Sequence, residues 1–185
     1  MGLDNLKKAL EKPSSKEGGT SGKRISDTLC TLINRQIERE FNSFLIYNSM
    51  SNYLNYNGLT NGAQLFKKYA HEELEHMHIF QDYLLDRNDL PCGCIKTDPI
   101  EKFESPLQVI KKSFEHEIFV TNSIKEIAQA AINESDFMTY ELTLKMIKEQ
   151  TEEEAKFETM LDKIELYKNS DSLNYFIEEE FESKL

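Results

Sequence analysis

The sequence predicts an all-α protein, a four-helix bundle with one long crossover connection and a short fifth helix at its C-terminal end. The observations behind this prediction are the placement of helix-breaking residues, the periodic spacing of apolar residues and the lengths of the links between helices. Of the seven glycines, four lie at positions 2, 18, 19 and 22, and three of the four prolines lie between 91 and 106. No glycine or proline occurs from Leu107 to Leu185, and a chain without helix breakers over such a stretch is mainly helical.

Capping residues and breakers indicate where each helix begins and ends. Ser26 is a good N-cap for the first helix, and Ser105 followed by Pro106 is typical of the start of another. Ser135 or Asp136 can cap the fourth helix. The expected ranges are, in chain order, 26–57, 61–88, 105–133, 135–168 and 172–183.

The links between these helices predict the topology. The links near 58–60 and 134–135 are short, so each joins antiparallel neighbours. The link over 89–104 has sixteen residues and reaches about 50 Å when extended, at ~3.3 Å per residue. The second helix is only about 40 Å long at 1.5 Å per residue. The long link can therefore run the length of the bundle, which is the ferritin-like topology.

The net charge of −11 limits the partners that the chain can have. Such a chain repels nucleic acid and anionic membranes and attracts cations. No run approaches the ~18 apolar residues that a membrane span needs. The three cysteines are an odd number without the spacing of a disulfide framework, which favours a reducing, cytoplasmic setting.

The first 24 residues differ from the rest of the chain. Residues 1–25 hold six basic and three acidic side chains and include a Ser/Gly/Lys-rich stretch. We expect a flexible basic extension over 1–24 and one bundle domain over 25–185. The extension is either a frayed terminus or a docking or targeting peptide. Cys92 and Cys94 in the long link are expected to be two loop thiols, because one Cys-x-Cys lacks the ligands of a zinc or iron site.

Polar residues interrupt the buried face of every long helix. At alternating steps of three and four residues, each predicted helix presents a largely apolar seam that carries a carboxylate or its amide near the middle. The interrupting residues are Glu40 in the first helix, Glu73 and His76 in the second, Glu117 in the third, and Gln150 and Glu153 in the fourth.

This coincidence favours a metal site. Burying one unpaired carboxylate costs several kcal/mol, and burying several at one level of a bundle requires cations to neutralise them. Oxygen-rich sites with one imidazole suit iron and manganese and can also take zinc. Each of these features has an ordinary structural explanation when it is taken alone. A single Glu-x-x-His or the acidic run over 149–154 is usually solvated surface, and Tyr47 is usually a core residue. Four interrupted seams at matching depth make those explanations weak.

Residues 33–167 closely resemble the bacterial-type non-haem ferritins, which belong to the ferritin-like di-iron carboxylate family. Residues 172–181 match the short fifth helix of those proteins. The matching stretches are 33–41, 47–51, 72–76, 105–107, 115–117, 149–154 and 161–166. The resemblance implies a cytoplasmic cage of twenty-four identical subunits that oxidises Fe(II) with O2 or H2O2 and stores ferric oxide.

The same resemblance implies an iron ligand set. Glu40, Glu73 and His76 would hold a first iron. Glu73 would bridge to a second iron, held also by Glu117 and more weakly by Glu153. Gln150 would lie in the pocket and hydrogen-bond the bound oxidant or water. A weak second site of this kind would let ferric product move on toward the cavity.

Further residues take roles by their motif positions. A third iron site in bacterial members is matched by four acidic residues, namely Glu72, Glu149, Glu152 and Glu153. Tyr47 matches a tyrosine beside the iron pair that can donate an electron. Glu134 and Asp136 could line an access channel for iron, or could simply form a polar turn with a helix cap.

Departures from related families narrow the expectation. Leu74 occupies the position of the haem-ligating methionine of bacterioferritins, so no haem is expected. The paired Cys-x-x-Cys motifs of rubrerythrins are missing from the sequence.

Three alternative functions stay open: a soluble di-iron oxidase or peroxidase that stores no iron, a bundle that binds divalent ions passively, and a ferritin-like cargo packaged in a larger compartment through residues 1–24.

Overall fold

The computed structural model describes residues 22–92, 96–97 and 102–185. Over those ranges the chain forms five helices and no strand, namely α1 (Asp27–Tyr56), α2 (Thr60–Asp86), α3 (Pro106–Glu134), α4 (Phe137–Glu165) and α5 (Leu173–Glu182). The predicted four long helices and short fifth helix are confirmed. Most of the predicted extension, residues 1–21, and Cys94 lie outside the described residues. None of the described helices combines the length and the apolar character needed to cross a bilayer.

The predicted caps account for the helix starts. Ser26 and Ser105 each accept a hydrogen bond from the backbone N–H three residues later, at 3.1 Å in both cases. Of the two candidates for the fourth helix, Asp136 is the N-cap and accepts from a backbone N–H at 3.0 Å. Ser135 instead ends α3 in the left-handed conformation, with φ of 57°. These side chains satisfy backbone donors that a helix start leaves unpaired.

The Asp136 carboxylate has a second partner. Arg87, just after α2, donates to both of its oxygens at 2.9 and 2.7 Å. The carboxylate is therefore held within the corner between α3 and α4. The polar turn with a cap is therefore present in the fold, and the role of Asp136 in an access channel stays a prediction.

The end of α4 differs from the prediction. The helix was expected to continue to residue 168 but ends at Glu165, and residues 166–169 form turns. Tyr167 stacks on Phe176 of α5, with ring centroids 3.7 Å apart and planes 15° apart. The chain must reverse here to lay α5 back on the bundle, so a tertiary contact ends the helix earlier than its periodicity indicates.

The crossover follows the first helix. In the bundle, α1 packs mainly against α2 and α3 against α4, while α1 also contacts α3. The Cys92 backbone N–H donates to Asn34 Oδ1 at 2.6 Å. Further along the crossover, the Lys96 carbonyl accepts from Asn42 Nδ2 at 2.9 Å. Side chains of α1 thus hold the described parts of the long connection, which confirms the predicted one-crossover topology.

The core consists of two apolar clusters with a polar layer between them. One cluster contains aromatic residues of three long helices, including Tyr47, Phe66 and Phe157. The other lies toward the opposite end of the bundle and includes Ile37 and Phe80. On each long helix, the residues that interrupt the seam fall between the segments that supply the two clusters. Apolar packing on both sides therefore determines the position of the polar layer.

Candidate metal centre

Three ligating side chains meet between α1 and α2. Glu40 comes from α1, and Glu73 and His76 come from α2, where a spacing of three residues puts both on one face of the helix. One ligand atom from each lies within 4.8 Å of the others. All three side chains are buried, and Glu40 is fully so. Among the described residues, this is the one cluster of three or more His, Cys, Asp or Glu side chains close enough to share a metal ion.

Glu117 lies across the bundle on α3 and is held by two neutral donors. Gln150 Nε2 of α4 donates to its Oε2 at 2.8 Å, and the Tyr47 hydroxyl of α1 donates to its Oε1. Burial and the nearby Glu117 charge raise the pKa of Tyr47 well above its usual value, so the hydroxyl keeps its proton. Both donors orient the carboxylate without cancelling its charge.

The carboxylates surround one cavity of about 230 Å³. Side chains of all four long helices line it, namely Tyr47, Tyr69, Glu72, Glu73, Glu75, His76, Ile79, Glu117, Glu149 and Glu153. Glu40 and Gln150 complete the layer from positions buried below the cavity surface. Six acidic side chains around so small a space make a strongly negative environment.

The electrostatics show how unfavourable this layer is without a cation. Burial, then repulsion from Glu73, raises the pKa of Glu40 well above its usual value. Burial and the charge of Glu117 do the same for the pKa of Glu73. Burial also raises the pKa of Glu117. Moreover, Glu40 Oε2 is buried without a hydrogen-bond partner among the described residues. An orphaned carboxylate oxygen beside an imidazole and further carboxylates fits a divalent iron, manganese or zinc ion.

The other predicted acidic ligands lie nearer the surface. Glu149 is half exposed, and its Oε1 lies 3.3 Å from His76 Nε2. Glu72 is partly buried on the cavity wall, while Glu152 is exposed and does not line the cavity. Glu153 lines the cavity but forms an ion pair with Lys156, with Nζ–O distances of 2.8 and 2.6 Å. The structure therefore groups three of the four residues expected at a third site around the cavity and leaves Glu152 outside.

Tyr47 packs within an aromatic group beside the polar layer. Its ring is parallel to that of Phe157, with an interplanar angle of 7° and centroids 6.3 Å apart. Tyr69 and His116 approach it edge-on, at 6.0 and 5.9 Å. Aromatic rings thus surround the phenol, while its hydroxyl donates to Glu117. This geometry fixes the hydroxyl beside the candidate site.

Sequence reasoning missed three residues around the site. Gln36 is fully buried, donates to Glu40 Oε1 at 2.7 Å, and accepts from the Ser123 hydroxyl of α3. Gln36 lies four residues before Glu40, so helical spacing could have placed it on the same face. Lys156 lies three residues after Glu153, so the same spacing could have placed it beside that carboxylate. Ser123 gave no comparable signal, because its contact with Gln36 crosses between helices.

Comparisons with known proteins agree with this architecture. A family model described as a ferritin-like domain matches residues 30–167. The bacterial non-haem ferritin of Escherichia coli is 32% identical over 148 residues, covering 80% of this chain and 90% of the relative. The bacterial non-haem ferritin of Bacteroides fragilis is 34% identical over 144 residues, covering 76% of this chain and 88% of the relative.

Solved structures of ferritins superpose on the chain. The open-pore ferritin of the archaeon Archaeoglobus fulgidus matches with a TM-score of 0.81 and 29% identity, covering 87% of this chain and 98% of that one. The ferritin of Chlorobium tepidum matches with a TM-score of 0.75 and 30% identity, covering 87% and 99%. The helices and the crossover agree with these matches. The chain therefore belongs to the ferritin-like family.

Proposed function

We propose that this chain is the subunit of an iron-storing ferritin that oxidises Fe(II) to Fe(III) with O2 or H2O2 and deposits ferric oxide inside a cage. The observation that carries the proposal is the convergence of carboxylates from all four long helices, with one imidazole, on a single buried layer. Family membership supports the same function.

Iron is the substrate, and two neighbouring positions would bind it. Glu40, Glu73 and His76 offer three ligand atoms within 4.8 Å of one another, which suits a first ferrous ion. Glu73 and Glu117 line the same cavity, so Glu73 can bridge to a second ion held also by Glu117. Glu153 would be a weaker ligand of that second ion, because it is already paired with Lys156.

The ligands favour oxidation through their charge. Anionic carboxylates stabilise Fe(III) more than Fe(II), and each ferrous ion gives up one electron. Two adjacent ions can therefore reduce O2 or H2O2 by two electrons together. Gln150 and Tyr47 would hold Glu117 in place during this step, and the Tyr47 phenol is positioned to supply a further electron.

The outer acidic residues would serve a third iron position. Glu72, Glu149 and Glu153 line the open side of the cavity, and Glu152 is exposed one turn of α4 from Glu149. Such a position would receive ions that arrive at or leave the pair. Exposed carboxylates exchange ions more readily than buried ones, because water competes for both partners.

Storage requires a cage, which we propose to be an assembly of twenty-four copies in the cytoplasm. Several large apolar side chains of the described residues are exposed on the isolated subunit. Among them, Leu90 is 79% exposed, Phe137 73% and Met138 61%. Apolar surface of this kind is typical of subunit contacts. The native mass measures the assembly directly, and a monomer or dimer would favour a non-storing di-iron oxidase.

The catalytic claim is tested by ferrous titration without oxygen, followed by air. We expect the wild-type protein to develop the absorbance of oxidised iron within seconds to minutes, at more than one ion per subunit. The variant His76→Ala removes the imidazole ligand and should lose most of the initial rate. Glu158→Ala, which changes an exposed glutamate of α4, is the matched control. Equal rates in all three proteins would reject the assigned site.

A further inference from the structure

Lys156 places a positive charge at the edge of the acidic cavity. Its Nζ lies 2.8 Å from Glu153 Oε1 and 2.6 Å from Glu153 Oε2, so one ammonium group binds both oxygens. The same Nζ lies 4.6 Å from the ring centroid of Tyr69. Both Glu153 and Tyr69 line the cavity, and the Lys156 side chain as a whole is 27% exposed. The lysine therefore contacts the cavity through two of its wall residues.

The contacts of Lys156 restrict it more than an ordinary surface lysine. The spacing of three residues along α4 brings it beside Glu153. The ammonium also makes a cation–π contact with Tyr69. The Tyr69 ring is itself buried, so its position is fixed. By contrast, Lys145 on the same helix pairs with Glu141 at 3.0 Å while both side chains are more than half exposed. The Lys156 ammonium is thus restrained by two contacts, whereas the Lys145 ammonium is solvated.

We infer that Lys156 is a positioning residue that acts through Glu153 and weakens the binding of the second divalent ion. This inference rests on the proposed function, because it concerns the second of the two proposed iron positions. The ammonium occupies both oxygens of Glu153 and repels an incoming cation. A divalent ion at Glu73 and Glu117 can take Glu153 as a ligand only by sharing or displacing the lysine.

The first position is outside the direct reach of this effect. Glu40 and His76 have no contact with Lys156 among the hydrogen bonds and ion pairs of the described residues. The lysine therefore makes the two positions unequal, tight for the first ion and loose for the second. A loosely held second ion leaves its site more easily after oxidation, which suits a subunit that passes product onward.

The test is a titration of the assembled, iron-free protein with Co2+ in the absence of oxygen. Calorimetry gives the stoichiometry and affinities, and the visible Co2+ spectrum reports ligand geometry at each step. In Lys156→Met, we expect the second dissociation constant to fall about threefold to tenfold, because a partly exposed competing cation has been removed. The first dissociation constant should stay at the wild-type value.

Two further variants, with one substitute, separate positioning from a structural role. Lys156→Arg keeps a cation able to bind both Glu153 oxygens and should keep the wild-type second affinity. Lys145→Met removes the same charge from an exposed pair on the same helix and should change neither step. Lys156→Gln replaces Lys156→Met if the latter fails to assemble.

The outcomes distinguish this inference from the proposed function. An unchanged second affinity in Lys156→Met or in its substitute Lys156→Gln, or an equal change in Lys145→Met, would overturn the role of Lys156 while leaving the metal site intact. If the wild-type protein binds no Co2+, or if His76→Ala leaves the first step unchanged, the proposed site itself fails.

Discussion

At the residue scale, the orientation of the buried Glu40 carboxylate depends on two neutral hydrogen-bond donors in series. Ser123 donates to Gln36, and Gln36 donates to one oxygen of Glu40, which leaves the other oxygen without a partner. Residues behind a metal ligand orient it, and their loss commonly weakens metal binding tenfold to a hundredfold. Gln36 is therefore placed to orient Glu40 although it does not line the cavity.

Replacing Gln36 with leucine tests this role. The side chain keeps nearly the same volume but cannot donate to Glu40, so we expect the first Co2+ dissociation constant to rise about tenfold. Stability should fall by about 1–3 kcal/mol, because Ser123 and Glu40 lose a buried partner. Gln64→Leu, at an exposed position of α2, is the control. Unchanged affinity in Gln36→Leu would show that packing alone positions Glu40.

The raised pKa values predict an unusual pH dependence for the metal-free protein. A carboxyl group whose pKa is higher when folded binds more protons in the folded state, so its contribution to stability is lost as the pH rises above about 4.5. Burial and Glu73 raise the pKa of Glu40 in this way. Urea unfolding of the metal-free protein between pH 5 and 8 should show Glu40→Gln becoming more stable than the wild type as the pH rises.

A second buried group titrates in the opposite sense, which makes the comparison between variants necessary. Burial lowers the pKa of His116 to about 4, so its contribution is lost as the pH falls from about 6.5 toward that value. Both proteins share this effect, and it cancels in their difference. Parallel stability curves for the two proteins would contradict the assigned cost of the Glu40 charge. Bound Co2+ should remove the advantage of Glu40→Gln.

At the element scale, α5 packs on one end of the bundle and supplies the hydrogen-bond acceptor that caps the start of α2. Leu59, the N-cap of α2, makes no side-chain capping bond. Glu178 of α5 supplies the missing acceptor, binding the backbone N–H of Asn61 at 2.6 Å and of Gly62 at 3.2 Å. Phe181 is fully buried against α2. The short helix thus caps α2 through Glu178 and fills the space beside α2 through Phe181.

Gly62 is required because Phe181 occupies the space of its side chain. A Cβ at position 62 would lie 2.5 Å from Phe181 Cδ2. We expect Gly62→Ala to destabilise the protein by about 1–3 kcal/mol through overpacking, although alanine favours helices. Combining it with Phe181→Leu should reduce the cost of the alanine, because the smaller side chain relieves the clash. Additive losses in urea unfolding would argue against direct contact.

At the scale of the whole molecule, the described chain has a carboxylate layer between two apolar clusters, and several large apolar side chains are exposed on its surface. Phe137 and Met138 begin α4 and are both strongly exposed. The α4 start belongs to the corner that Arg87 and Asp136 hold in place. This corner is therefore an ordered surface suited to contacts between subunits.

Changing Phe137 and Met138 together to glutamate tests that surface. Acidic residues favour the first turn of a helix, so α4 should remain folded. If the corner packs against a neighbouring copy, buried like charges should oppose assembly, and native mass should shift from a cage to small oligomers. Far-ultraviolet circular dichroism checks that helix content is kept. A cage of full size would show that this corner faces solvent.

The helices and the polar residues that interrupt each seam were predictable because both follow from local spacing, whereas the ligand roles of those residues stay predictions. Ser26, Ser105 and Asp136 act as caps through their own backbone neighbours. The end of α4 was wrong by about one turn, because the stacking of Tyr167 on Phe176 depends on how α5 returns to the bundle. Glu152 shows the same limit for the site, since its motif position does not reveal that it lies outside the cavity.

By itself, the sequence determined the all-α class, the one-crossover topology and the level at which carboxylates interrupt each seam. Periodicity, capping and link length are properties of neighbouring residues, so they can be read along the chain. The tertiary structure alone decided which groups touch across helices: Ser123 behind Gln36 and Lys156 beside Tyr69. Those contacts depend on the rotation of packed helices, and they decide how the carboxylates are oriented and neutralised.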